Sequence, residues 1–333
     1  MPRRRELGRG ERVIPGLWRL RLPLPFPGVP HCNAWAIAAG DGLVLVDTGM
    51  HEPGSMTELE RSFDQVGLTL DAVRLLVITH AHADHWGQAA TICDRTGCEM
   101  WMHPNHAHGF TSVTDPDLAV ARRIEVGRQS GVSESALARY AERSRGAASG
   151  IARVIEPNRP LLPGVEIETD LGRWTVHETP GHAPSHVCLY QAQRRLLISG
   201  DHVLGRISLY FDYGWTPDPI GEFLHSLDVV DKLGARLALS GHGKPFLDVP
   251  GHTEGNRLLV RERLDAVLEA VQDGPKTAVE ITSAVHGEPL TEANAGWWLP
   301  ETLCYLGHLE LEEKVARESD GDLAHWTAGS IKP

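Results

Sequence analysis

The 333-residue sequence is 41% hydrophobic and has a formal net charge of −12 at pH 7, from 32 basic and 44 acidic residues. A chain of this length and composition can bury a substantial core, which argues against a disordered protein. Its negative charge disfavours general binding to nucleic acid or to anionic membranes. Because no sequence stretch approaches the ~20 apolar residues of a membrane span and no apolar run follows the basic N-terminus, we expect a soluble, cytoplasmic protein. The five scattered cysteines indicate free thiols rather than a disulfide framework.

Short β-rich runs alternate with turn signals from Val13 to about Pro250. The predicted strands cover 17–24, 33–40, 42–49, 73–80, 99–104, 173–180, 186–192, 195–202 and 236–243. Helical patterns at 54–66, 87–96 and 219–233 lie between some of them, so the predicted class is mixed α and β. Several predicted strands end in polar side chains, and loops at one edge of a sheet are where rigid scaffolds usually carry chemistry.

A mostly helical stretch at about 104–160 interrupts this alternation of strands and turns and is interpreted as an insertion. Its segment 116–159 contains eight arginines, no lysine and five acidic residues, a local excess of positive charge. The arginines form either solvated helix faces or a lid that attracts an anionic substrate group. The candidates for substrate contact are Arg122, Arg123 and Arg128.

The composition shifts to helix formers after Pro250. We therefore predict two domains, a catalytic domain over 1–250 and a small helical domain over 251–333.

The strongest chemical signal is the run THAHADH at 79–85, directly after a predicted strand. It supplies His80, His82, Asp84 and His85 within six positions. Imidazole and carboxylate are both good ligands for Zn²⁺ and related ions. Burying this many ionisable groups without a cation would cost more than a turn gains, so the run predicts a metal site.

Further ligands are needed downstream, because four in one loop cannot complete two metal sites. His182 in TPGHAPSH, Asp201 in SGDH and His242 in SGHG meet this need, and each lies next to a glycine that allows a tight turn. This ordered set resembles the metallo-β-lactamase superfamily. The resemblance extends from residue 47 to residue 242, about 60% of the chain.

The resemblance implies an α+β fold, a four-layer αββα sandwich with the site at one edge of its two sheets. It implies that the first metal is bound by His80, His82 and His182, the second by Asp84, His85 and His242, and that Asp201 bridges them. It also implies that Asp47, in VDTG, orients ligands without touching metal. His186 is expected beside the ligands rather than among them, and Ser185 stands where glycine is usual.

Two divalent ions that share a carboxylate would lower the pKa of a water between them, which makes hydroxide available at pH 7. The second ion would polarise the scissile carbonyl. The expected cofactors are two Zn²⁺ ions per chain, with iron or manganese as alternatives. Asp84 and Asp201 are the candidate catalytic residues, Asp84 as a group that steers the water or accepts a proton.

Within the superfamily, the sequence resembles the glyoxalase II and β-lactamase-like protein 2 groups. Asp201 departs from the β-lactamases that carry cysteine there, and His82 stands where flavin-linked oxygen reductases carry glutamate. The tail, KTAVEITSAVHG followed by ETLCYLGHLELEEKV, is similar to a small winged-helix-like domain. Its helix is acidic, so we interpret it as a pocket wall or a dimer contact rather than a nucleic-acid surface.

The predicted function is hydrolysis of a thioester or ester, with an acyl-coenzyme A or glutathione thioester as the leading substrate. A lactonase is the nearest alternative, followed by an endoribonuclease and a mononuclear iron sulfur dioxygenase. The expected partner is a small anionic substrate, and binding to nucleic acid or to a membrane is not expected. Whether the protein forms a homodimer is left open.

Weaker signals concern the substrate pocket. The proline-rich run 23–33 resembles a loop that overhangs the metals, so Phe26 is a candidate wall residue. In LYFDYGW, Tyr210 and Tyr213 are either oxyanion donors or core residues. Trp297 and Trp298 either line an apolar acyl pocket or seal the tail against the catalytic domain.

Three further histidines, at the start of the insertion, lack a partner motif. His103, His106 and His108 are assigned to a loop that opens the insertion.

Overall fold

Hydrophobic runs in the first half of the chain form a seven-stranded sheet. In the computed structural model, which describes residues 7–26 and 28–329, the strand order of this sheet follows the chain order. The strands are β1 (Arg9–Ile14), β2 (Leu17–Pro23), β3 (His31–Ala39), β4 (Gly42–Val46), β5 (Val73–Ile78), β6 (Glu99–Met102) and β7 (Arg159–Pro160). Pairing is antiparallel from β1 to β4 and parallel from β4 to β7. All five residues of β4 are buried, as expected for a strand covered on both faces.

A second sheet follows in the chain. Its strands are β8 (Glu166–Thr169), β9 (Gly172–Glu178), β10 (Val187–Gln191), β11 (Leu196–Gly200) and β12 (Leu237–Ser240), in the spatial order β12-β11-β10-β9-β8. Only β11 and β12 are parallel, because a helix connects them. The inner faces of both sheets pack together around Trp35, Val77, Trp174 and Ile198, all fully buried.

Helices cover both outer faces. The first sheet is covered by α1 (Ser55–Asp64), α2 (Ala83–Trp86) and α3 (Ala89–Thr96), which bury Phe63 and Trp86 against it. The second sheet shares a hydrophobic core with α7 (Pro219–Leu233), α8 (Val249–Ala270), α9 (Ala278–His286) and α10 (Ala295–Leu311). These layers confirm the predicted αββα sandwich.

The insertion contains α4 (Ala107–Thr114), α5 (Pro116–Gln129) and α6 (Glu134–Ser144). Local sequence explains where these helices begin. The Asp115 side chain accepts the Leu118 N–H at the start of α5, and Pro116 occupies the first turn, where its missing N–H costs nothing. Ser133 caps α6 in the same way.

The chain after α10 ends in a hairpin of β13 (Val315–Asp320) and β14 (Leu323–Ala328). Helices on both sides of residue 250 contribute to one core, which includes Leu227, Val260, Ile281 and Leu303. The domain boundary and the winged-helix-like character of the tail stay predictions. Among residues 7–26 and 28–329, no helix combines the length and apolarity needed to cross a lipid bilayer.

Candidate metal centre

The polar clusters of the sequence lie just beyond the ends of β4, β5, β9, β11 and β12, where the two sheets meet. Backbone hydrogen bonds connect the sheets at this edge. The Val187 N–H donates to the Thr79 carbonyl at 2.9 Å, and the Asn33 N–H donates to the Gly241 carbonyl at 2.6 Å. The loops that carry the predicted ligands therefore start from fixed positions on both sheets.

The THAHADH run changes conformation halfway through. His80 follows β5 in a turn, His82 is extended, and α2 begins at Ala83, so that Asp84 and His85 lie in its single turn. The Thr48 N–H donates to the His85 carbonyl at 2.8 Å, which ties this turn to the chain that follows β4. This local path turns all four side chains of the motif toward one another.

The first group of donors consists of His80, His82 and His182, each offering one nitrogen within 4.8 Å of the others. His82 Nδ1 and His182 Nε2 are 3.1 Å apart. His80 Nε2 is buried and has no hydrogen-bond partner among the residues that the structure describes. An orphaned buried nitrogen of this kind is costly unless a ligand occupies the space in front of it.

The second group consists of Asp84, His85 and His242, whose donor atoms also lie within 4.8 Å of one another. Asp201 lies between the two groups. Its Oδ2 is 3.0 Å from His242 Nε2, 3.5 Å from His85 Nε2 and 3.9 Å from His182 Nε2. One carboxylate is thus within reach of both groups.

Hydrogen bonds fix which nitrogen of each ligand histidine carries a proton. Carbonyl and carboxylate oxygens can only accept, so the nitrogen facing one must be N–H. The pairs are His82 Nε2 to Asp212 at 2.9 Å, His85 Nδ1 to Asp47 at 2.8 Å, His182 Nδ1 to the Tyr210 carbonyl at 3.0 Å, and His242 Nδ1 to the His31 carbonyl at 2.8 Å. In His80, Nδ1 lies 3.0 Å from the Thr79 hydroxyl, which itself donates to Asp47.

In the neutral form of all five histidines, the second ring nitrogen therefore presents a lone pair to the centre. His82 Nδ1 and His182 Nε2 face each other at 3.1 Å with neither able to donate. Two opposed lone pairs repel. A proton on His82, whose pKa Asp212 raises against the opposing effect of burial, or a metal ion beside the pair removes that repulsion. The donor set fits metal ions, with imidazole and carboxylate ligands of the types that Zn²⁺ prefers.

Buried carboxylates favour positive charge at the same point. Burial by itself would lower the pKa of His85, but the carboxylates of Asp201 and Asp84 raise that pKa well above its ordinary value. The same two carboxylates raise the pKa of His242 to about 10 against the opposing effect of burial. In His80 and His182 burial prevails, and it lowers the pKa of His182 to about 4.

Two residues hold the ligands in place from behind. Asp47 adopts a left-handed backbone conformation, φ 64°, and accepts from the Thr79 N–H at 2.8 Å as well as from His85. His186 accepts the Asp201 N–H through Nε2 at 3.1 Å, while its Nδ1 lies 2.8 Å from Thr179 Oγ1. Gly200 leaves room for this ring, because a Cβ there would lie 2.5 Å from His186 Nε2.

One carboxylate was missed from the sequence, and one histidine was assigned elsewhere. Asp212 Oδ2 accepts from His82 and also lies 2.9 Å from His108 Nδ1. His108 Nε2 is 2.8 Å from Ser185 Oγ, which accepts the Ala81 N–H at 2.9 Å. We call this chain, Ser185 to His108 to Asp212, the His82 support. A buried ligand histidine usually has such a carboxylate behind it, and the only sequence signal was an aspartate within the aromatic run 209–215.

The other two histidines of the insertion have separate partners. His103 Nε2 lies 2.9 Å from Glu178 Oε1, and the His106 ring stacks on Phe110 with centroids 4.1 Å apart.

Comparison with known proteins gives this arrangement a family. The family model described as metallo-beta-lactamase superfamily matches residues 27–278. The chain belongs to the metallo-β-lactamase superfamily. It is therefore a metal-dependent hydrolase, and the histidine and aspartate groups described above could hold metal ions.

Relatives of this superfamily member match along most of its length. A probable metallo-hydrolase of Bacillus subtilis is 25% identical, over 92% of this chain and 96% of its own. The human acyl-coenzyme A thioesterase MBLAC2 is 25% identical, over 64% of this chain and 74% of its own. A crystal structure of a metallo-β-lactamase family protein from Thermus thermophilus superposes with a TM-score of 0.83 at 27% identity, covering 95% of this chain and all of the other.

Aromatic side chains lie beside the proposed metal ligands. The Tyr210 ring is 5.7 Å from the rings of both His82 and His182. Burial, then the Asp212 carboxylate, raises the pKa of Tyr210, so its hydroxyl stays protonated. The Trp297 ring is 5.8 Å from Tyr210 and 6.0 Å from Phe26. Tyr213 lies elsewhere: it packs against the core formed with α8 to α10 and borders a small cavity with Arg317.

The three candidate arginines have different neighbours in the structure. The Arg122 guanidinium lies 5.9 Å from the centre of the Trp215 ring, and that ring is 6.2 Å from His108. Arg123 donates to the Tyr140 hydroxyl at 3.2 Å, and its pKa is raised by Tyr140, Tyr210 and Asp212 against desolvation.

Arg128 has other partners. It makes ion pairs with Glu125 and Glu134 and lines a surface cavity with Thr277 and Glu280.

Proposed function

We propose that this chain is a dinuclear metal-dependent thioesterase. The observation that carries the proposal is the position of Asp201, whose Oδ2 lies 3.0 Å from His242 Nε2 and within 4 Å of His182 Nε2, between two complete groups of ligand side chains. One tetrahedral ion cannot use seven ligands. The proposed metal ligands are His80, His82, Asp84, His85, His182, Asp201 and His242.

Divalent ions in such a site lower the pKa of water toward neutrality and polarise a carbonyl oxygen. The protein supplies fixed geometry around them. Asp84 and Asp201 provide the negative charge, and Asp84 is the proposed residue that steers the attacking water. Tyr210, held protonated by its raised pKa, is the proposed hydrogen-bond donor to the developing oxyanion.

A thioester is a suitable substrate for this proposed site because a thiolate leaves without a strong general acid. The name of the human relative, an acyl-coenzyme A thioesterase, supports the same bond type. Arg122 and Arg123 support an anionic leaving group, since the Arg122 guanidinium lies over Trp215, whose ring is 6.2 Å from His108, and Arg123 is its neighbour in α5.

The leading rival is a lactone, whose ring opening also needs little assistance to the leaving group. The test is a substrate panel for the metal-loaded protein, with thioester, lactone, phosphodiester and β-lactam substrates compared by kcat/KM. We expect a thioester to be the best substrate. Faster turnover of RNA or of a lactone than of any thioester contradicts the proposal, and one iron per chain with oxygen uptake would indicate a sulfur dioxygenase instead.

The anionic group is tested with paired thioesters that share one acyl group. Coenzyme A thioesters carry phosphates, whereas N-acetylcysteamine thioesters are uncharged. Replacing Arg122 and Arg123 together by alanine should lower kcat/KM for the coenzyme A thioester by about tenfold, ~1.4 kcal/mol. The uncharged thioester should change little, and added salt should reduce the difference.

Arg128→Ala is the matched control, because this arginine lies in the same helix and pairs with two glutamates. Equal losses for both thioesters, or an equal effect of Arg128→Ala, would overturn the assignment of the two arginines.

A further inference from the structure

We propose that Phe26, Tyr210 and Trp297 form an apolar subsite for the acyl chain of the substrate. This proposal rests on the proposed thioesterase function. It concerns which part of the substrate lies where, and it assigns a role in substrate binding to α10, a helix outside the sandwich sheets.

The three rings form a continuous path from the ligands to the surface. The Tyr210 ring is 5.7 Å from the ligand His182 and 5.8 Å from Trp297, and the Trp297 ring is 6.0 Å from Phe26. All but the tilted Tyr210–His182 pair are near edge-to-face contacts. The residues come from three separate places in the chain: the β2–β3 loop, the segment after Asp201, and the first turn of α10. A substrate carbonyl at the metals would bring its nearest substituent against this path.

The exposed fractions of these side chains leave part of their apolar surface open to solvent. Trp297 is 44% exposed and Phe26 is half-buried, although both contact another ring. Covering such surface with methylene groups is favourable in proportion to the area removed from water. The sequence left open whether Trp297 and Trp298 line an acyl pocket or seal the tail. In the structure the Trp298 ring stacks on His286, with centroids 4.2 Å apart and planes at 2°.

A second series of side chains extends from the proposed ligands, and it differs from the first because it includes a charged group. The rings of His82 and His108 are 5.6 Å apart, Trp215 lies 6.2 Å from His108, and Arg122 lies over Trp215. This path ends in a cation, so it suits the charged leaving group. The path formed by Tyr210, Trp297 and Phe26 contains no charged side chain, and the acyl chain is therefore assigned to it.

The experiment uses two series of uncharged thioesters with the metal-loaded, full-length protein. In the acyl series, N-acetylcysteamine thioesters extend from two to eight acyl carbons; in the thiol series, the acyl group is acetyl and the thiol is lengthened instead. For the unmodified protein, kcat/KM should rise along the acyl series by at most about fourfold per methylene, the equivalent of ~0.8 kcal/mol. Trp297→Ala should flatten this rise.

The matched control is Trp298→Ala, the neighbouring residue of the same helix, which should keep the rise. If that variant unfolds, Trp298→Phe replaces it. Equal slopes in Trp297→Ala and the control would overturn the subsite while thioester hydrolysis stands. If Trp297→Ala flattens the rise of kcat/KM along the thiol series alone, the subsite binds the leaving group, which also overturns the assignment.

A binding measurement separates this proposal from the proposed function. S-octyl-N-acetylcysteamine, a thioether that cannot be hydrolysed, is titrated into the metal-free protein by calorimetry. Trp297→Ala should weaken its binding by about tenfold relative to Trp298→Ala. Unchanged affinity in Trp297→Ala overturns the subsite, whichever substrates the loaded protein hydrolyses.

Discussion

The proposed ligand cluster and a second set of residues, the proposed rim of the substrate site, are held by different contacts. The ligand cluster is the set His80, His82, Asp84, His85, His182, Asp201 and His242, and the rim is the set Phe26, Arg122, Trp215 and Trp297. Each histidine of the cluster has one ring nitrogen in a directed hydrogen bond of 2.8–3.0 Å. Rim residues contact one another and their neighbours through rings and a guanidinium, with 5.8–6.2 Å between the centres of these groups.

From this difference we expect the cluster to govern the chemistry and the rim to govern the preference among substrates. Hydrogen bonds fix both orientation and tautomer, as a metal site requires, whereas ring contacts allow the mouth to adapt to a substrate. Changes in the cluster should therefore reduce metal binding and kcat, and changes in the rim should act on KM and on the preference among substrates.

The largest effect is expected from loss of the shared carboxylate in the cluster. Asp201→Ala should remove more activity than any single histidine-to-alanine change in the cluster, because Asp201 Oδ2 reaches both groups of ligands. The expected loss in kcat exceeds tenfold, ~1.4 kcal/mol in barrier, measured on the best thioester. A variant that keeps more than about a tenth of the rate would show that Asp201 does not bridge.

A smaller effect is expected behind the cluster, in the His82 support. Asp212→Leu leaves His82 without its acceptor and should weaken metal binding by about 10- to 100-fold, measured by competition with a chelator. Asp212→Asn keeps an oxygen that can accept from His82, so it should retain most of that affinity. Equal losses in both variants would mean that the negative charge of Asp212, rather than its hydrogen bond, supports the metal.

The smallest effect concerns α10, the helix that carries Trp297. Burial raises the pKa of Glu301 in α10 to about 7, against the opposing effects of Tyr305, whose hydroxyl donates at 2.9 Å, and of Arg263. The folded state therefore binds a proton that the unfolded state, with a pKa of about 4.5, has released. Stability should fall as pH rises from about 4.5 through 7.

Glu301→Gln tests this directly, because glutamine can accept from Tyr305 without a charge. Thermal melts of the metal-free proteins should give the variant a Tm a few degrees above the unmodified protein at pH 8, and no advantage at pH 4.5. A constant difference across this pH range would show that Glu301 does not titrate in the folded protein.

Much of the ligand cluster was predictable because its signals are local. His80, His82, Asp84 and His85 lie within six positions, and the remaining ligands each follow a strand and adjoin a glycine. The αββα fold followed from the family resemblance that these motifs carry, and the strands and helices were indicated by their periodicity.

The residues missed from the sequence act across long distances in the chain. Asp212 is 130 residues from His82, and no motif connects them. His108 was assigned to a loop because its carboxylate partner lies far downstream.

Adjacent residues were equally hard to separate. Trp297 and Trp298 differ only in the direction that each takes from α10, and Arg123 and Arg128 only in which side chains surround them. Packing decides these cases, and it is not encoded in spacing alone.

The central claim, two metal ions that share Asp201, is tested most directly by metal analysis. The purified protein is reconstituted with Zn²⁺, dialysed mildly and analysed for metal per chain. We expect two ions per chain, and about one in a variant with Asp84 and His242 both replaced by alanine, together with loss of thioesterase activity. At most one ion in the unmodified protein, with Asp84 and His242 dispensable for activity, would contradict the account.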